Sequence, residues 1–213
     1  KGELFGVDLS KADLSKAVLY SSDLREANLS KANLAKADLQ EANLVGADLH
    51  GADLNGANLH QANLAQADLS GALLFFADLH EANLPEANLK GADLTEVDLL
   101  QADLEGVDLS GAKLSESKLR GAKLIRASLC GADFSKANLI EVDFSEADLT
   151  NANLKKADLS KAVLTRAKLS GANLHRVNIH GADLSEADLT NTNLFGIDLR
   201  EAITENTQFE NAI

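Results

Sequence analysis

Leucine returns every fifth residue along this chain, as in Leu44, Leu49, Leu54, Leu59 and Leu64, and alanine stands two places before each of these and most others. From Leu4 to Phe209 there are 42 such central positions with no insertion or deletion; 37 are Leu, the exceptions being Phe134, Phe144, Ile179, Thr204 and Phe209. A period of five excludes the usual helical solutions. On an α-helix five residues advance about 500°, so the leucines would spiral over every face and leave no stripe to bury. A coiled coil needs a period near 3.5.

Within each unit the pattern is that of a strand. Ala and Leu are two apart with Asp or Asn between them, which gives in, out, in. The next two residues are Ser, Thr, His, Gly, Lys or Glu, a composition suited to a corner. Thirteen of the 14 glycines fall at the second corner position, where a type II turn requires positive φ. Lys or Glu at that position implies that the other corners use a turn without positive φ. A short side plus a sharp corner, repeated, closes a coil. Four right-angled corners make a square coil of about 20 residues, stacked on the next as parallel strands about 4.8 Å apart. Right-handed winding follows from the parallel crossover rule. The expected fold is all-β: a right-handed quadrilateral parallel β-helix of about 10 coils, one domain over residues 1–213, with Leu columns inside and Ala filling the gaps between them.

These residues resemble the pentapeptide repeat family, whose A(D/N)LXX pattern stands here as Ala47-Asp48-Leu49, Ala57-Asn58-Leu59 and Ala182-Asp183-Leu184. The resemblance covers residues 2–213 and implies the same four-sided helix. Most members are not known to be enzymes, and many come from cyanobacteria. One subgroup resembles B-DNA in shape and charge, binds DNA gyrase and protects against quinolones, usually as dimers joined through the C-terminal coil. Loops interrupt the coils of its better known members; none interrupts this chain.

Composition sets further bounds. The formal net charge of −13 opposes general affinity for nucleic acid or anionic membranes. No apolar run reaches the roughly 20 residues of a membrane-spanning helix, and no signal-peptide pattern is visible. These features favour a cytoplasmic protein. The chain opens at Lys1 and contains no Met, which suggests a trimmed product and leaves a removed targeting segment open.

In so uniform a chain, function is sought where the pattern breaks. Residues 46–111 hold twelve acids against Lys90 alone; a basic collar of Lys113, Lys118, Arg120, Lys123 and Arg126 follows. The acidic band, including Asp78, Asp93, Asp98, Asp103 and Asp108, reads either as a docking surface for a basic protein or as a solvated face that keeps an edge-rich β protein soluble. Asn and Lys interleave with the acids at spacings of 20, which favours a structural ladder over a metal site. In the stretch GALLFF, Leu73 takes an outward position and Phe75 and Phe76 take a corner, which suggests a contact patch; the alternative is that they pack over one another. The five histidines and Cys130 fall at corner positions and read as surface residues, with no metal ligand set, catalytic group or cofactor site among them. Near the C-terminus, Thr204 replaces a core Leu, so the last coil should be loosened or reshaped. Phe209 and Ile213 then offer an end for end-to-end pairing of two copies.

The functional expectation is a non-enzymatic acidic rod that acts as an interaction scaffold or regulator for a protein with a basic or apolar surface. The alternative is a DNA mimic binding DNA gyrase or another topoisomerase. A convex rod offers no converging acid, base and nucleophile.

Overall fold

Among the described residues, outward residue i pairs with residue i+20 along nearly the whole rod, the step from Asn178 to Asp198 being a break near its end. The computed structural model describes residues 4–213, and its parallel bridges run Asp8 to Asn28, Asn28 to Asp48, Asp48 to Asp68, and so on to Asp188 and Gln208. Four such columns define four faces. Face 1 carries Asp8, Asn28 and Asp48; face 2 carries Asp13, Asn33 and Asp53; face 3 carries Val18, Asp38 and Asn58; face 4 carries Asp23, Asn43 and Asn63. The chain is a right-handed quadrilateral β-helix. At the usual strand spacing of about 4.8 Å its coils form a rod roughly 50 Å long.

One repeat shows why five residues suffice. In Ala47-Asp48-Leu49-His50-Gly51 every backbone N–H has a partner. Ala47 donates to the Leu44 carbonyl across the corner (2.9 Å), Asp48 to Ala27 in the preceding coil (2.9 Å), and Leu49 to Asp68 in the following one (2.7 Å). Gly51 donates to Ser70 (2.9 Å). The remaining N–H, that of His50, has no backbone acceptor and donates to Oδ1 of Asp48 at 3.0 Å. This bond explains the Asp/Asn preference. The side chain reaches two residues ahead and satisfies the one donor that the ladder leaves out, an Asx-type bond. Every outward Asp and Asn among the described residues makes it except Asn83, which is followed by Pro85, a residue with no N–H to offer.

The corners depart from expectation. Lys, Glu, Gln and Arg at the second corner position have positive φ just as Gly does: Lys36 lies at 58°, Glu86 at 57° and Arg126 at 58°, beside Gly51 at 62°. All corners therefore share one turn, with the type II signature of positive φ at the second position and a bond closing it. A left-handed residue with a side chain costs about 1–2 kcal/mol. It is held there because its N–H is tied to the next coil while the following N–H closes the turn, as Lys36 to Asn55 (2.9 Å) and Ala37 to Leu34 (2.9 Å). Among the described residues the one exception is the corner after Leu199, where Leu199–Glu201 form a short 3₁₀ turn. The reshaping expected at Thr204 thus falls one corner earlier. Beyond it the ladder resumes, with Leu184 donating to Ile203 (2.8 Å) and Leu189 to Gln208 (2.8 Å).

The interior is a continuous column of Leu and Ala from Leu24 to Leu189, essentially without solvent exposure. Each buried Leu contributes roughly 1.5–3 kcal/mol. Phe134 and Phe144 enter the same column from opposite walls of one coil and meet edge to face, with ring centroids 6.0 Å apart. Ser117 and Thr192 stand where Ala belongs and bond to the Leu114 and Leu189 carbonyls, so their buried hydroxyls are satisfied. Among the described residues no helix is long and apolar enough to cross a membrane.

Candidate docking surfaces on the rod

The outward columns are hydrogen-bonded ladders. Asn58 Nδ2 donates to Asp38 Oδ1 (3.2 Å), Asn88 to Asp68 (3.0 Å) and Asn153 to Asp133 (2.8 Å), each one coil apart. An amide between carboxylates turns a like-charge stack into a donor–acceptor stack.

The basic collar is one full turn of coil whose outward residues are Lys113, Lys118, Lys123 and Ser128. None of the four accepts the corner N–H as Asp or Asn does elsewhere. The three lysines provide ion pairing to the preceding coil instead: Lys113 to Asp93 (3.2 Å), Lys118 to Asp98 (3.2 Å) and Lys123 to Asp103 (3.8 Å). Arg120 pairs with Glu141 (3.2 Å) and Arg126 with Glu105. All five collar cations are thus engaged, and the collar is a neutralised belt. Partial burial raises the Asp93 carboxyl, but the Thr95 hydroxyl and Lys113 outweigh it and hold the group below its usual value.

Leu73, Phe75 and Phe76 form the break in the acidic band. They are 44%, 39% and 55% exposed. The two rings touch edge to face, with centroids 4.1 Å apart, so they do pack over one another, and they still present apolar area to solvent. Leu73 sits on face 2 between Asp53 and Asp93; Asp78 sits on face 3 between Asn58 and Asp98. The corner between these faces carries the two Phe residues, so Leu73, Phe75, Phe76, Asp78, Asp93 and Asp98 surround one edge. Asp103 and Asp108 lie on faces 4 and 1 and do not join them. Two further residues belong here that sequence reasoning passed over. Asn55 lies one coil before Phe75 and accepts its N–H (2.9 Å); Glu96 follows Phe76 at the next coil of the same corner column. The spacing of 20 would have found both.

Other singled-out residues are occupied locally. His60 Nδ1 lies 3.0 Å from the His80 carbonyl and the two rings meet edge to face at 5.1 Å; His80 Nε2 is 3.3 Å from Glu81. Cys130 is exposed, and its thiol is pushed up first by partial burial and then by its bond to Asp148, the reverse of an activated nucleophile. At the C-terminus, Phe209 packs partly against the end of the core column, whereas Ile213 is 91% exposed and lies outward beside Phe195 and His175. The two therefore point in different directions.

A family model described as pentapeptide repeats matches residues 3–40, 32–71, 72–111, 112–151, 143–181 and 152–191. No curated protein matches the chain. Among solved structures, HetL, a pentapeptide repeat protein involved in heterocyst differentiation regulation from the cyanobacterium Nostoc sp. strain PCC 7120, is 36% identical. That match covers 99% of this chain and 86% of HetL, with a TM-score of 0.65. QnrB1, a plasmid-mediated fluoroquinolone resistance protein, is 17% identical over 97% of this chain and 88% of its own, with a TM-score of 0.62. The latter likeness is one of fold.

Proposed function

The chain belongs to the pentapeptide repeat family, and from that membership we propose that it is a rigid scaffold that performs no chemistry and binds a protein partner at the Leu73–Phe75–Phe76 corner. The observation that carries this reading is the exposure of those three large apolar side chains on an edge whose neighbours are Asp53, Asp78, Asp93 and Glu96. Such a patch fits a partner that presents an apolar anchor with Lys or Arg around it. The carboxylates steer the approach and the apolar contact holds the complex. The Nostoc relative, involved in regulation, is in line with a role exercised through binding.

A DNA-mimic reading would draw on the acid columns of residues 46–111. Asn58, Asn63 and Asn88 interrupt those columns, and Lys113, Lys118 and Lys123 cap three of them. The apolar corner is therefore the better supported surface.

The test is a comparison of proteins retained by the immobilised wild-type rod and by the variant Leu73→Asp/Phe75→Ser/Phe76→Lys. Retention by the wild type, lost in the variant and weakened by salt, is expected. Identical retained sets would remove the corner from consideration, and inhibition of gyrase supercoiling by both proteins alike would favour the mimic.

A further inference from the structure

The net charge of residues 128–213 is negative, which conceals how the cations are placed. Lys155, Lys156, His175 and Arg176 occupy the corner between faces 2 and 3 in two successive coils. Backbone bonds fix the stacking: Lys136 donates to the Lys155 carbonyl (2.9 Å), Lys156 to His175 (3.0 Å) and Arg176 to Phe195 (2.9 Å). Two carboxylates flank this corner: face 2 presents Asn153, Asn173 and Asn193, and face 3 presents Asp158, Asn178 and Asp198, the last of them paired with Arg200. Among the described residues none of Lys155, Lys156 and Arg176 enters an ion pair, although every cation of the belt does. Their proximity is felt by His175, whose imidazole is held below its usual value by partial burial and then by the charges of Arg176, Lys155 and Lys156. Phe195 stacks on that imidazole, with centroids 5.3 Å apart and planes 14° from parallel. Beside the pair opens a hollow of about 400 Å³ lined by His175, Asn193, Phe195 and Ile213 among others.

We propose that this corner is a second binding surface, which takes an acidic peptide segment of a protein partner, its carboxylates on Lys155, Lys156 and Arg176 and an apolar side chain against Phe195. Like charges crowded without counter-ions repel one another, and an anionic partner relieves that repulsion. The coils from Lys155 to Phe195 span roughly 10 Å at about 4.8 Å each, the length of about three extended residues. Nucleic acid is disfavoured on magnitude: tight duplex binders neutralise about 6–10 phosphates, whereas three free cations stand here on a chain of net charge −13. The surface is separate from the Leu73 corner in residues and opposite to it in sign, and it lies on the same edge four coils along, roughly 19 Å away at about 4.8 Å per coil. One edge of the rod can therefore hold two partners of opposite character.

The probe is a short fluorescein-labelled polyglutamate peptide ending in phenylalanine, followed by fluorescence anisotropy with the full chain. Binding that weakens with added salt is expected. Lys155→Gln/Lys156→Gln/Arg176→Gln should weaken it at least about tenfold, while Lys31→Gln/Lys36→Gln/Lys90→Gln, the same charge change elsewhere, should change it less than about twofold. The single changes Lys156→Gln and Arg176→Gln, each expected to weaken binding about threefold, carry the same test should the triple variant lose its fold. No binding by the intact chain, equal losses in the two triple variants, or tighter binding of an oligonucleotide of equal charge would each overturn the proposal. None of these outcomes bears on the Leu73 corner, whose variants leave this surface intact.

Discussion

Asn55 accepts the backbone N–H of Phe75 from a neighbouring coil, at 2.9 Å. At most corners the N–H is taken by the Asp or Asn two residues before it, but here that position is Leu73, which has no oxygen. Asn55 supplies the missing acceptor. Asn55→Ala should destabilise the rod by about 0.5–1.5 kcal/mol, the net value of one such bond. Leu73→Asp restores the local acceptor, so in that background Asn55→Ala should cost close to nothing. Thermal denaturation of the four proteins in the cycle measures the coupling; additive effects would show that the two residues do not share one N–H.

This relationship marks the boundary of what the sequence reveals. The Ala and Leu columns were legible because burial acts at a period that side chains report directly, and the closure into coils followed from it. The purpose of the Asp/Asn column was not legible. Alternation alone says that Asp48 faces outward, and says nothing of the orphan N–H of His50, which only the ladder's register exposes. Lys36 at the second corner position was misleading for a related reason. Its intrinsic preference opposes positive φ, but two backbone bonds dictate the conformation. A charge sum along the chain hides the basic corner at Lys155 and Arg176, because the fold sorts charge by residues 20 apart.

Since every ordinary corner has the same left-handed residue, glycine content becomes a lever on stability. At Gly91, with φ 67°, an added Cβ would meet nothing within 4 Å, so Gly91→Ala should be destabilising through backbone strain alone, by about 1 kcal/mol. The opposite change, Lys31→Gly at φ 57°, should stabilise by a similar or smaller amount, about 0.5–1 kcal/mol. Chemical denaturation of both variants provides the check. A neutral Gly91→Ala would mean that the corner can relax to a turn without positive φ.

Acid should loosen the rod in a defined window. Asp198 is held down to about 2 by the Arg200 side chain and its backbone N–H, and Asp8, Asp13 and Asp183 are lowered by bonds from Ser10, Ser15 and Ser185. A carboxyl whose folded value lies below its unfolded one stabilises the fold above the unfolded value, about 3.9, and loses that contribution as pH falls through the folded value. The carboxylate contribution to the melting temperature should therefore be complete above about pH 5 and be lost between about pH 4 and 2, apart from a smaller loss below about pH 6.5 from the lowered His175 imidazole. An NMR titration of the Asp198 carboxyl locates its midpoint directly. In Arg200→Gln the midpoint should move up toward the ordinary value of about 3.9, remaining below it because the backbone bond stays. An unmoved midpoint would place the cause elsewhere.

Phe134 and Phe144 are ten residues apart in a coil of 20, so they project from opposite walls and meet on the axis, both fully buried. Either ring alone would leave the other facing a leucine of different shape. Phe134→Leu and Phe144→Leu should each destabilise by roughly 1–2 kcal/mol, through lost volume and through the edge-to-face contact, which itself is worth about 0.5–1.5 kcal/mol. The double variant restores the leucine found in the neighbouring coils at both positions, where Leu124 and Leu154 pack without rings. Its cost should fall short of the sum by about the value of the aromatic contact. A double-mutant cycle from denaturant unfolding resolves this, and strictly additive costs would mean that each ring packs on its own wall without reference to the other.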